Sequence, residues 1–169
     1  MKMLKKMAAL LLAGVMAMAL LTACGDEAPA KSTAEQAEDA MTIAINQSMG
    51  TDFKNDESLK NVARKMIADN VGEDGQVVKY YTQIEGGACI LLFAPTADNK
   101  GIAAIGLTNE QVAAMKDPAF TKAFVEAFRK STNMEEDDVK KIKALGVGAV
   151  TKGDKTYIAF AVTAIQDAQ

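Results

Sequence analysis

The chain contains no histidine and no tryptophan, two cysteines and three prolines, and only nine of its 169 residues are aromatic. Each shortage removes a class of function. Without histidine there is no Ser-His-Asp or Cys-His relay, and the usual zinc sites lose their commonest ligand. The scarcity of aromatics argues against a carbohydrate platform of stacked rings, although tyrosine remains available for such a role. Three of the 19 basic residues lie before Cys24, so the part beyond carries 16 against 22 acidic residues, a net charge of −6. Nucleic-acid binding calls for a basic face and is not expected. No cofactor and no metal is expected either.

What is present begins with an export signal. Lys2, Lys5 and Lys6 precede Met7 to Leu21, fifteen apolar residues without a charge, and small residues then lead to Cys24. Charge, short apolar core and small residues, in that order, make a secretory signal. The run is shorter than the roughly 20 residues of a membrane span. Leu21-Thr22-Ala23-Cys24 resembles the lipobox of bacterial lipoproteins, in which the cysteine thiol receives a diacylglycerol and a peptidase cuts before it. The resemblance implies residues 1–23 removed, lipid on Cys24, and a membrane as the first partner. Two acyl chains anchor durably where one binds marginally. The location implied is the cell membrane or outer membrane, facing the periplasm or cell exterior. Replacing Cys24 by alanine is expected to release the protein or leave it unprocessed. Processed protein that stayed membrane-bound in fractionation would contradict lipidation.

Residues 24–33 are small and polar with one proline, which suits a flexible tether. Residues 34–169 then form one domain, a length that supports a sizeable core. With Cys24 lipidated, Cys89 has no partner for an intramolecular disulfide, so stability rests on packing.

Helical signals open the domain. Ser32 and Glu35 make a capping box before a helix from about Ala34 to Met49, whose buried face is Ala37, Met41, Ala44, Ile45 and Ser48, and Gly50 ends it. Asp56 caps a second helix over Glu57 to Asn70. The period then changes to two. Val78, Tyr80, Thr82 and Ile84 share one face of a predicted strand, and Val77, Lys79, Tyr81 and Gln83 share the other. Gly86-Gly87 signals a hairpin. Ala88 to Ala94 is apolar throughout, as a central strand buried on both faces would be. Pro95 stops it, residues 98–101 turn, and Ile102 to Leu107 makes a third strand.

Thr108 with Gln111 caps a further helix, and Asp117-Pro118 restarts it. Phe120, Phe124 and Phe128 recur four apart, a stripe better suited to core packing than to a ligand. Glu135 to Leu145 is expected as a short helix, acidic at its start and basic at its end, which complements the helix dipole. Its acidic run lacks the alternating acids and central glycine of a calcium loop. A hairpin closes the chain, Gly146 to Lys152 and Lys155 to Gln166 around Gly153-Asp154. Ile158, Phe160 and Val162 face one way. Tyr157, Ala159, Ala161 and Thr163 face the other, where the small alanines point to a closely packed helix. The fold expected is a single α+β domain: about five strands in a mainly antiparallel sheet with helices packed on it, an α-β-α sandwich in particular.

Two stretches resemble a known family. Asn46, Gly50, Phe53, Leu59 and Ala63, together with Leu145 to Val150 and Lys155 to Ile165, are similar to the opening and closing hairpin of bacterial CAP-superfamily domains. That family's fold is an α-β-α sandwich. Its cavity carries paired histidines and glutamates, which cannot be matched here, and Met49 stands where its arginine is expected. The resemblance therefore implies a scaffold and transfers no functional residue.

Few single residues stand out. Cys89, inside the apolar strand, reads as a small core hydrophobe. Glu85 and Asp98 border the central strand and form the one acid/base pair the composition suggests. Tyr80 and Tyr81 lie on opposite faces of one strand, and the more exposed of the two is the candidate partner contact. The function expected is non-catalytic: a membrane-tethered lipoprotein that binds an envelope protein or ligand or has a structural role. The alternative is a carboxylate-dependent cell-envelope hydrolase, which needs two acids converging in a cleft.

Overall fold

The structure, a computed structural model, describes residues 31–96, 101–132 and 136–164. Cys24 with the whole signal, and Asp98, lie outside the described residues. Helix α1 (Thr33–Met49) starts at the expected capping box: the Ser32 hydroxyl accepts from the Glu35 amide at 3.2 Å and the Glu35 carboxylate accepts from the Ser32 amide at 2.9 Å. Gly50 ends it in the left-handed conformation, φ 68°. Asn46 then holds the turn shut. Its amide nitrogen donates to the Phe53 carbonyl at 2.7 Å, and its oxygen accepts from the Phe53 amide at 2.9 Å. Helix α2 (Glu57–Asn70) is capped by Asp56, which accepts from the Leu59 amide.

The main sheet has four strands: β1 (Tyr81–Ile84), β2 (Gly87–Leu91), β5 (Ile142–Lys152) and β6 (Lys155–Ala164). Their order is β1-β2-β6-β5, antiparallel throughout. Between β2 and β5 the chain forms a separate two-stranded ribbon, β3 (Phe93–Pro95) with β4 (Ile102–Ala104), and three helices, α3 (Asn109–Ala114), α4 (Pro118–Thr132) and α5 (Glu136–Lys140). Among the described residues no helix is long and apolar enough to cross a membrane.

Four elements differ from the sequence-based expectation, each because a tertiary hydrogen bond outweighs the local pattern. The apolar run Ala88 to Ala94 is not one strand. After Leu92 donates to the Ile158 carbonyl, the chain leaves the sheet, and Phe93–Pro95 pairs with Ile102–Ala104 instead. The third predicted strand is correspondingly cut to β4, and Leu107 returns to the main sheet only through a bridge to Thr156. The predicted helix reaching Leu145 stops at Lys140. Ile142 to Leu145 is the start of β5, paired with β6 from Ala164 inward across a register shift between Ile142 and Ala144. The strand expected from Val77 begins at Tyr81, because Val77 bridges Val71 and Val78 donates to the Asn70 carbonyl, which folds this segment back on the end of α2.

The core has two layers, one on each face of the sheet. Ile90, Val147, Ile158 and Phe160 pack against Met41 and Ile45 of α1, Val112 of α3, and Phe120 and Phe124 of α4. Cys89, Leu91, Tyr157, Ala159 and Ala161 pack against Leu59, Ala63, Met66 and Ile67 of α2. The α2 face is flat because Gly146 sits opposite Ala161 and Gly148 opposite Ala159 in the β5–β6 register. With so little side chain between them, helix and sheet nearly touch. A Cβ on Gly146 would lie 2.4 Å from Leu59 Cβ, and one on Gly148 would lie 2.6 Å from the Lys60 carbonyl oxygen.

Candidate functional site

A sheet of this order has two edges, and an uncovered edge offers unpaired amides and carbonyls to other chains. The β5 edge is closed by the chain itself. Asp56 donates its amide to the Leu145 carbonyl at 2.9 Å. The Asn55 side chain behaves like a short piece of neighbouring strand, accepting from the Val147 amide at 2.8 Å and donating to the Val147 carbonyl at 2.9 Å. Glu38 takes the next amide, that of Ala149, at 2.8 Å.

Glu38 is 3% exposed, and a carboxylate so buried requires compensation. Arg64 of α2 supplies it in a two-pronged pair, Nε to Oε1 at 2.6 Å and Nη2 to Oε2 at 2.8 Å. Glu38 in turn holds the Arg64 guanidinium protonated further above its ordinary range, first through this hydrogen bond. The carboxylate thus ties α1, α2 and β5 together at one point. Its three donors, two from Arg64 and one from Ala149, give it a structural role.

The β1 edge is different. Leu91 donates to the Tyr80 carbonyl, and Thr82 stands opposite Cys89. Antiparallel alternation then turns the main-chain groups of Thr82 inward and those of Tyr81 and Gln83 outward. Among the described residues no hydrogen bond reaches them. Beside this edge lie two of the exposed large apolar side chains, Val78 at 86% and Tyr80 at 44% exposure. The Tyr80 ring leans on Phe93 with centroids 4.7 Å apart, which fixes its orientation without burying it.

Of the tyrosine pair singled out from sequence, Tyr80 is therefore the exposed member. Tyr81 is partly buried against the layer formed by α1, α3 and α4. Phe93 was not legible as a neighbour of Tyr80, because the apolar pattern put it in the middle of a buried strand. Glu85 is exposed in the turn between β1 and β2. Cys89 is fully buried, and burial pushes its thiol up to about 12, so the reactive thiolate is suppressed.

One open groove of about 390 Å³ lies elsewhere, between residues 74–77 and the β3–β4 ribbon. Among the described residues that line it Asp74 is the one carboxylate, and it already accepts from the Gln76 amide at 3.0 Å. The groove's main chain is largely spoken for as well: Ala104 donates to the Gly75 carbonyl and Gly72 to that of Gln76. Among the described residues no three metal-ligating side chains gather at any point. Compared with family models, curated proteins and solved structures, the chain finds no match.

Proposed function

We propose that this chain is a lipid-anchored protein of the bacterial cell envelope that works by contact and not by catalysis. Export removes residues 1–23, lipid on Cys24 holds the chain to a membrane, and residues 24–33 tether the domain within reach of a partner on that surface. The contact face is the β1 edge with Val78 and Tyr80. The observation that carries the reading is the contrast between the two edges: β5 is closed by Asn55, Asp56 and Glu38, whereas among the described residues nothing hydrogen-bonds the outward amides of β1, which lie beside an exposed valine and tyrosine. Strand addition at a bare edge, with side-chain contacts beside it, is a common mode of protein recognition.

A photo-crosslinking amino acid at Val78, in intact envelopes, is expected to give a discrete adduct. The same group at Ile43, 54% exposed on α1, serves as the control. Adducts of equal yield at both positions, or none at Val78, would contradict a contact face at β1.

A further inference from the structure

We infer that the β1 edge pairs with the β1 edge of a second copy of this chain, antiparallel about a two-fold axis at Thr82, so that two four-stranded sheets become one continuous sheet. This rests on the reading of the β1 edge as a contact surface and names its partner. A two-fold interface must be self-complementary, because the same strand supplies both sides. The flanks of β1 (Tyr81–Ile84) meet that demand.

The hydrogen-bond parity of the strand restricts the register. Tyr81 and Gln83 carry the outward groups, so each must face an outward residue of the other copy. The dyad can then fall at Tyr81, Thr82 or Gln83. At Thr82, Tyr81 faces Gln83 of the second copy and the two exchange both main-chain bonds, twice over by symmetry. Thr82 meets Thr82, a favourable like pair. Tyr80 comes opposite Ile84, an aromatic beside a β-branched side chain. Beyond the ladder, Lys79, exposed before the strand, is brought beside Glu85, exposed in the turn that follows it, again twice. With the dyad at Tyr81, Lys79 faces Gln83 and Glu85 faces Val77. With the dyad at Gln83, Glu85 faces Tyr81 and Lys79 faces Gly87. Only the Thr82 register matches opposite charges. In the single chain Lys79 Nζ rests on the Thr82 hydroxyl at 3.1 Å, a weak contact that it can exchange for the carboxylate. The pairing is short, and lipid anchoring of both copies would raise their effective concentration.

Charge reversal tests partner and register together. Full-length lipidated chain in mild detergent is followed by sedimentation, with Lys79→Glu, Glu85→Lys and an equimolar mixture of the two. Wild type is expected to dimerise. Each variant alone places like charges opposite each other twice and should associate about tenfold more weakly. The mixture matches every charge and should recover wild-type association, which chance sharing of a micelle would not do. Gln83→Pro removes an outward amide without breaking the β1–β2 ladder and should leave a folded monomer, verified by its circular dichroism. A monomeric wild type, or single variants and mixture indistinguishable from it, would overturn the proposal. If the wild type is monomeric and Val78 still crosslinks to a different envelope protein, the second copy is wrong and the contact face stands. Absence of any Val78 adduct would remove both.

Discussion

Replacing Gly146 by alanine is expected to lower the unfolding free energy by about 3 kcal/mol, at the upper end for overpacking a core. The single added carbon would sit 2.4 Å from Leu59 Cβ, from the Leu59 carbonyl carbon and from the Lys60 amide nitrogen. Two of these three are main-chain atoms of α2, so no side-chain rotation relieves the clash. The helix must lift from β5, and in lifting it would loosen Leu59, Ala63 and Ile67 from the alanine floor of β6. Gly50→Ala separates this from a generic loss of glycine. Gly50 has open space around it and a φ of 68°, so its substitution should cost only about 1 kcal/mol of left-handed strain. Urea unfolding midpoints of the two variants decide the matter. Equal shifts would mean that α2 does not approach the sheet this closely.

Glu38→Ala is expected to cost about 3 kcal/mol, the low end for breaking a buried ion pair by removing one partner. The low end applies because the Arg64 side chain is 34% exposed and water can take over part of its solvation. The remaining cost falls on the Ala149 amide, which loses its acceptor at an edge the protein otherwise closes. Glu38→Gln should be milder, since an amide oxygen still accepts from Ala149 but no longer balances the guanidinium. Arg64→Ala leaves the carboxylate with one donor where it had three, so the double substitution Glu38→Ala with Arg64→Ala should cost less than the two single costs summed. Strict additivity in that cycle would show that the pair does not act as a unit.

The legible parts of this fold were those written in short-range chemistry. Ser32 with Glu35, Asp56, and Thr108 with Gln111 each announced a helix start, because a cap is a contact between residues two or three apart. The alternation of Ile158, Phe160 and Val162 with Ala159 and Ala161 announced a strand with a bulky face and a flat one, and the two core layers divide along that line. What escaped depended on long-range partners. Glu38 lies beside Ala37 on an apolar helix face, and nothing nearby in sequence reveals that its partners are Arg64 and the amide of Ala149. Ile142 to Leu145 carried helical charge patterning and became strand because β6 was there to pair with it. The candidate contact face shows the same division. Tyr80 stood out because adjacent strand residues face opposite ways. The exposure of Val78 came from the fold-back of residues 77–78 on the end of α2, and the support of Phe93 from a chain path that leaves the sheet after Leu92.

The most direct test of the contrast between a closed and an open sheet edge is hydrogen exchange resolved to single amides. The amides of Val147 and Ala149, held by Asn55 and Glu38, should exchange slowly at every protein concentration. Those of Tyr81 and Gln83 should exchange rapidly in dilute protein and slow as the concentration rises and the edge is covered. Fast exchange at Val147 and Ala149, or equal protection of all four amides at high dilution, would contradict it.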